Sequence, residues 1–267
     1  MVSLSELKTE TLSVQTIEVS LNEKRAYKKA PKFSLIVPVY NEANIVSKNL
    51  DVLDRFLARK GCELIVCDDC SKDGTYNHLM SFAKLARVRS SNPSVLLMRS
   101  DSRIGKGGTI KSAVKEARGE IVVIMDVDLP VDLKFIPEVV RQARVCGGIV
   151  IGQRSTADRL TQGPLRVMLS LGYNSLARLL FRTGVKDHQC GFKAMKADIA
   201  RKLADSAKND GYVFDTELIV QARKLNIPVQ QVHVKWVDGR PRKSNLRWIR
   251  AGLVMMKDLI NVRRNLA

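Results

Sequence analysis

Residues 121–128 read Ile121-Val122-Val123-Ile124-Met125-Asp126-Val127-Asp128, and this stretch decides the fold. Five apolar residues in a row fit a strand covered on both faces, as in a parallel sheet. Such a strand delivers Asp126 and Asp128 to its C-terminal tip, where open α/β sheets place their ligands. Two carboxylates this close repel each other unless a cation lies between them, and hard oxygen ligands suit Mg²⁺ or Mn²⁺. The same pattern also serves as a plain turn followed by a helix cap.

Outward from this point the chain is regular. Apolar runs of strand length occur at 33–37, 62–67, 94–98, 121–125 and 148–151, with helical patterns between them at about 43–60, 74–89, 107–118 and 132–145. Strand alternating with helix predicts a mostly parallel, doubly wound α/β sheet with helices on both faces. Beyond residue 152 the spacing predicts helices at about 164–183, 196–207 and 214–225, a strand at 229–236 and a closing helix at about 246–264. Residues 1–31, with Lys24-Arg25 and Lys28-Lys29, read as a flexible basic arm or one loose helix.

Composition narrows the function classes. The 267 residues are 45% hydrophobic, enough for one large core or two small ones. The longest uncharged apolar stretch, Val167 to Ala177, is too short to span a bilayer, and no signal peptide opens the chain. Five scattered cysteines form no disulfide framework, and Cys67-x-x-Cys70 straddles a strand end rather than opening a helix, so the expected compartment is the reducing cytosol. The net charge of +18 attracts nucleic acid, anionic lipid or phosphorylated ligands. A nucleic-acid-binding protein fits poorly: aromatics make up only 5%, no DNA- or RNA-binding motif occurs, and the acidic pairs repel phosphate.

Three more strand ends carry polar residues. Pro38-Val39-Tyr40-Asn41-Glu42 offers an aromatic face for a base and a carboxylate for base or ribose, or simply a corner with Asn41 as helix cap. Cys67-Asp68-Asp69-Cys70-Ser71-Lys72-Asp73-Gly74-Thr75 again sets two acids at a strand tip, with Asp73 or Thr75 placed to start a helix. Arg103-Ile104-Gly105-Lys106-Gly107-Gly108 lets backbone approach a ligand, supplies the Lys106 charge and points a helix N-terminus at an anion. All four loops open on one sheet edge.

As an ordered set, these motifs resemble the family 2 glycosyltransferases of the GT-A fold, over roughly residues 33–262. The subgroup that fits best makes polyprenyl-phosphate sugars. Gln189-Cys190-Gly191-Phe192-Lys193 and Phe214-Asp215-x-Glu217-Leu218 are similar to its glucose-type branch rather than its mannose-type branch. The resemblance implies a metal-dependent, inverting hexosyltransferase. Its donor would be a nucleotide-diphosphate sugar, UDP-glucose before GDP-mannose, and its acceptor a polyprenyl (dolichyl) phosphate. A catalytic domain over 32–240 would divide into a nucleotide-sugar half (32–152) and an acceptor half (153–240), followed by an amphipathic helix over 241–267. Pro38, Tyr40, Glu42, Asp68 or Asp69, and Lys106 would bind the nucleotide sugar together with Asp126, Val127 and Asp128. Asp126 and Asp128 would hold Mg²⁺ or Mn²⁺, with Gln189, water or the diphosphate as further ligand. Arg154 and Arg166 would hold the acceptor phosphate, and Asp215 would grip sugar hydroxyls or act as a helix-terminal acid. Three departures stand out: Cys70 in place of a small Gly or Asn, Arg103 where Asn is common, and Pro130 where mannose-type enzymes present Gln.

A lipid acceptor calls for an interface. Helix 164–183 carries Leu165, Met168, Leu169, Leu176, Leu179 and Leu180 beside Arg166, Arg178 and Arg182. In helix 246–264, Arg247, Arg250, Lys257 and Arg264 share one arc, away from Trp248, Ile249, Met256 and Ile260. Both fit helices lying in the headgroup plane of an anionic membrane, a monotopic attachment to its cytoplasmic face, or helices packed on the core. A sugar transferase with a soluble acceptor and a nucleotidyltransferase are the competing enzyme readings.

Overall fold

The computed structural model describes residues 14–19, 30–58, 60–88, 94–155, 164–237 and 245–266. Its centre is a sheet of eight strands in the order β1-β4-β3-β2-β5-β7-β6-β8. The strands are β1 (Val14–Val19), β2 (Phe33–Val39), β3 (Glu63–Asp68), β4 (Ser94–Ser100), β5 (Ile121–Ile124), β6 (Ile149–Arg154), β7 (Lys193–Lys196) and β8 (Val229–Val234). The helices are α1 (Val46–Leu57), α2 (Thr75–Val88), α3 (Gly105–Glu116), α4 (Phe135–Cys146), α5 (Pro164–Phe181), α6 (Ala197–Ser206), α7 (Phe214–Lys224) and α8 (Asn245–Leu266).

β4, β3, β2 and β5 run parallel, with Ile36 opposite both Ile65 and Ile124. Their apolar runs are buried on both faces: every residue of β3 and β5 is buried. The chain travels outward from β2 through β3 to β4 and then returns to β5 on the other side of β2. Right-handed crossovers place α1 and α2 on one face of the sheet and α3 on the other. The direction of travel reverses between β2 and β5, so their C-terminal loops splay apart and leave a crevice. Those loops carry Tyr40 to Glu42 and Asp126 to Asp128.

The alternation read from sequence is borne out, with two strands added. β1 forms the edge of the sheet, antiparallel to β4 with Val14 opposite Ser100, inside the stretch read as a loose arm. Its residues Val14, Thr16, Ile17 and Val19 are β-branched and suit an edge strand, but they lack the alternation that announces one. The other flanking residues of that stretch, 1–13 and 20–29, lie outside the described residues. β7 inserts antiparallel between β5 and β6. With four residues, Lys-Ala-Met-Lys, it is too short for its period to be read.

A second, smaller core joins α5, α7 and α8 through Tyr173, Ala177, Phe181, Val213, Val220, Leu259 and Val262. It stands beside the main core and forms one wall above the crevice. Among the described residues no helix is long and apolar enough to cross a membrane, and all five cysteines are free thiols.

Candidate active site

The loops at the crevice are sewn together by their own polar residues. Asn41 takes a left-handed backbone (φ 52°); its N–H donates to Ser71 Oγ at 2.9 Å, and its Oδ1 accepts from Lys72 N–H at 2.9 Å. Glu42 N–H donates to Thr75 Oγ1 at 2.8 Å, and Ala43 N–H to Asp73 Oδ2 at 3.1 Å. Asp73 also caps α2 through Thr75 N–H at 3.0 Å. Asn41 is therefore not the cap of α1; Ile45 holds that position without a side-chain bond. Ser71, Asp73 and Thr75 serve as scaffold for the first loop. From α1, Asn49 Nδ2 donates to Val127 O at 2.9 Å and fixes the Asp126-Val127-Asp128 turn.

One cleft of about 930 Å³ opens over these loops. It is lined by Pro38, Tyr40, Glu42, Asp69, Lys106, Asp126, Val127, Asp128, Arg154, Gln189 and Asp215, so the structure brings together nearly every residue singled out from sequence. Among those whose side chains are described, Asp68 is the exception. It is buried beneath the loop, accepts from Ser71 N–H at 3.2 Å and lies 3.5 Å from Arg99 Nε. Asp69 lines the cleft but is engaged as well, its Oδ1 accepting from Ile104 N–H at 2.7 Å and its Oδ2 from Gly105 N–H at 3.0 Å. Burial pushes the pKa of both acids up, against the hydrogen bonds they accept.

The glycines of 105–108 make close approaches, but to protein. Asp210 O accepts from Gly107 N–H at 2.7 Å and from Gly108 N–H at 3.2 Å. A Cβ at Gly105 would lie 2.3 Å from Asp210 O, and one at Gly107 would lie 2.7 Å from Phe214 Cβ. The first turn of α3 is thus capped by Asp69 and Asp210, which corrects the expectation that it points free N–H groups at an anion. The positive charge that this loop offers the cleft is the side chain of Lys106.

Lys106 Nζ lies 2.8 Å from Asp126 Oδ1 and 2.9 Å from Asp215 Oδ2. Asp215 Oδ1 in turn accepts from Lys193 Nζ at 2.6 Å, and Lys193 Nζ also donates to Cys190 O at 2.5 Å. Charges alternate along Lys193, Asp215, Lys106 and Asp126. Burial pulls the Lys106 pKa down, but Asp126 and Asp215 outweigh it and hold the group well above the usual lysine value. For Asp215, burial acts upward and the two lysines outweigh it, so the carboxylate stays ionised. Both Asp215 oxygens are occupied by lysines. Lys193 was quoted from sequence only as the last residue of Gln189-Cys190-Gly191-Phe192-Lys193 and was given no role there.

Asp126 and Asp128 both line the cleft with carboxylate oxygens, the hard donors that divalent cations take. Asp126 is partly exposed to the cleft, and its carboxylate is steered by backbone: a Cβ at Gly191 would lie 2.2 Å from Asp126 Oδ2. Gln189, on the same turn, lines the cleft with Nε2 3.7 Å from Met255 Sδ. Among the described residues no cluster of three His, Cys, Asp or Glu could hold a metal. Hard oxygens from two carboxylates leave most of a cation's coordination to water and substrate.

Arg154 ends β6 with Nε and Nη2 bonded to Asp187 at 2.6 and 2.7 Å, and its guanidinium lies 4.8 Å from the Trp236 ring centre. Arg103 lies 4.2 Å over the Tyr40 ring, on the aromatic face expected to meet a base. Arg166 lies on α5, but its side chain is outside the described residues, as are those of Arg247, Trp248, Ile249 and Arg250 on α8. The cleft continues between these helices, past Met168, Leu169, Gly172, Gly252, Met255 and Met256. The face of α8 that packs inward holds Met255, Leu259 and Val262, not Met256 and Ile260. Away from the cleft, Leu171 and Leu179 on α5, and Leu253 and Ile260 on α8, stay exposed on helices that also carry exposed Arg178, Lys257 and Arg264, with exposed Arg182 just after α5.

Comparison with known proteins agrees with this geometry. Residues 34–204 match the model of "Glycosyl transferase family 2". Glycosyltransferase AglD of Haloferax volcanii is 32% identical over 220 residues, which are 80% of this chain and 34% of that protein; the chain thus spans about a third of AglD. Dolichyl-phosphate beta-glucosyltransferase of Dictyostelium discoideum is 31% identical over 247 residues, 86% of this chain and 73% of that protein. Among solved structures, glucosyl-3-phosphoglycerate synthase of Mycobacterium tuberculosis with UDP superposes with a TM-score of 0.64 at 18% identity, over 87% of this chain and 80% of that one. The last likeness supports the GT-A fold expected from sequence.

Proposed function

The chain belongs to glycosyl transferase family 2, and we propose that it moves a hexose, glucose from UDP-glucose, onto a polyprenyl (dolichyl) phosphate with inversion at the anomeric carbon. One observation carries this reading: a single cleft runs from the acidic Asp126–Asp128 end to an apolar groove between α5 and α8. A diphosphate suits the first end and a lipid-borne acceptor the second. The likeness to a dolichyl-phosphate beta-glucosyltransferase supports the choice of sugar and acceptor.

The cleft has a charge problem that a bound divalent cation would solve. Its lining holds seven carboxylates against three cations, Arg103, Lys106 and Arg154, although the chain as a whole is +18. An anionic donor enters such a site only with further positive charge. Asp126 and Asp128 would hold Mg²⁺ or Mn²⁺, which when bound neutralises the diphosphate and eases its departure. Tyr40, Glu42, Asp69 and Pro38 surround the space for the nucleoside. Lys106, already positioned between two acids, has its charge available to the leaving diphosphate.

The acceptor phosphate is largely dianionic near neutrality, its second pKa being about 6 by analogy with phosphorylated side chains. It needs no general base. One of its oxygens forms the new bond to the anomeric carbon, and the bond to the diphosphate breaks on the opposite side with its electron pair leaving on the diphosphate. Arg154, and Arg166 in the first turn of α5, would orient that oxygen. The product is β-linked when the donor is α-linked.

The exposed apolar and cationic residues of α5 and α8 would seat the protein on the cytoplasmic face of an anionic membrane, where the lipid phosphate is presented. The test incubates the purified protein with radiolabelled UDP-glucose or GDP-mannose, polyprenyl phosphate and Mn²⁺. Label should enter the organic phase from UDP-glucose, and Asp128→Asn should abolish this while leaving the circular dichroism spectrum unchanged. If neither donor labels the lipid, the reading fails.

A further inference from the structure

We propose that Lys193 is a positioning residue for the transfer: acting through Asp215, it fixes the ammonium of Lys106 at the diphosphate end of the cleft. The inference rests on the reading of the cleft given above. Lys193 occupies the first position of β7, opposite Ile124 of β5 and Ile151 of β6, in the middle of the sheet. It is fully buried, among the largest side chains without exposed surface. An apolar residue would suit that position better, because an ammonium taken out of water is costly unless it is paired and hydrogen-bonded. Lys193 is both, through Cys190 O and Asp215 Oδ1.

The antiparallel direction of β7 places its first residue at the cleft edge of the sheet, just behind the Asp126 turn. Asp215 arrives from the other side, as the second residue of α7. Its two oxygens divide their work: Oδ1 faces Lys193 and Oδ2 faces Lys106. Without Lys193, one oxygen of a buried carboxylate would lose its cation. The carboxylate would then turn toward Lys106 or draw in water, and Lys106 would move with it. Lys193 touches neither the nucleotide space nor the reacting atoms; it works by setting where Lys106 stands relative to Asp126.

A purely structural buried ion pair predicts something different, and the two can be separated. Lys193→Met keeps the volume and removes the charge; Lys193→Arg keeps the charge; Lys193→Met with Asp215→Asn removes both charges of the pair. For each full-length variant, thermal melting, UDP affinity in the presence of Mn²⁺, and kcat and KM for UDP-glucose and for polyprenyl phosphate are measured. Misplacing Lys106 should lower kcat by roughly 10²-fold and weaken UDP binding, with little change in KM for the lipid. Lys193→Arg should recover most of kcat. The double variant should regain melting temperature without regaining turnover. If Lys193→Met turns over like the wild type, or if the double variant regains both stability and turnover, Lys193 is structural only and the proposal is overturned. A wild-type protein that labels no lipid would instead overturn the functional reading itself, so the two failures are distinct.

Discussion

Lys106 and Asp126 face each other at 2.8 Å across the join between the α3 loop and the β5 tip. The lysine also meets Asp215 at 2.9 Å, so one ammonium keeps apart two acids that would otherwise repel. Lys106→Met leaves both carboxylates without that cation and removes a charge from the diphosphate end. The expected loss in kcat at saturating donor is about 10² to 10³-fold. Steady-state transfer kinetics checks this, and a loss below about fivefold would mean that Lys106 is not aimed at the leaving group.

Cys70 departs from the small Gly or Asn of similar sequences, and its backbone explains why those residues suit the position. Its φ is 56°, in the left-handed region that a side chain with a Cβ occupies at a cost. Cys70→Gly should raise stability by about 0.5–1 kcal/mol, read as a higher urea midpoint with unchanged m. A lower midpoint would show that the contact from Cys70 Sγ to Asp101 O at 3.4 Å outweighs the strain.

His188 is buried between α5 and the Thr183 turn, with Nε2 2.6 Å from Thr183 Oγ1 and Nδ1 3.2 Å from Asn174 Oδ1. Burial lowers its pKa from the ordinary histidine value of about 6.5 to about 4. The folded state therefore binds its proton more weakly than the unfolded chain. Its contribution to stability is complete above about pH 6.5 and is lost as pH falls toward 4, in total on the order of 3 kcal/mol. Urea denaturation at a series of pH values should show a steeper fall across that window for wild type than for His188→Gln. Parallel curves would contradict the assignment.

Leu179 on α5 is 76% exposed and Ile260 on α8 is 45% exposed. As parts of a membrane-facing surface, Leu179→Glu and Ile260→Glu together should reduce cosedimentation with phosphatidylserine vesicles by roughly tenfold or more, at unchanged melting temperature. Equal binding by wild type and variant would remove α5 and α8 as the contact surface. Val145 on α4, 80% exposed, provides the control site, where Val145→Glu should leave vesicle binding unaltered.

The sheet and its loaded edge were legible because parallel strands buried on both faces must be continuous apolar runs, and 33–37, 62–67 and 121–125 are such runs. Fixing the strands fixes the edge on which Tyr40, Asp69, Lys106 and Asp126 meet. What each loop residue does was less legible. Glycine marks a place where backbone is crowded without saying by what, and at Gly105 and Gly107 the neighbour is the Asp210–Phe214 segment rather than a ligand. A carboxylate in a loop can serve ligand or scaffold equally; Asp73 turned to scaffold because the N–H of Ala43, distant in sequence, comes to lie beside it, and Asp68 because it is buried beneath its own loop and accepts from Ser71 N–H. Helical periodicity alone does not state which arc of α8 the partner helix covers; the residues that pack inward are Met255, Leu259 and Val262. Lys193 had almost no local signal, since its burial depends on an antiparallel strand of four residues.

The most direct test of the central claim is the anomeric configuration of the lipid product, read by proton NMR on the sugar-phosphate formed from UDP-glucose and polyprenyl phosphate. The proposed single in-line displacement predicts a β-glucosyl polyprenyl phosphate, formed only with a divalent cation and an intact Asp128. An α-linked product, or glucose released without any lipid product, would contradict it.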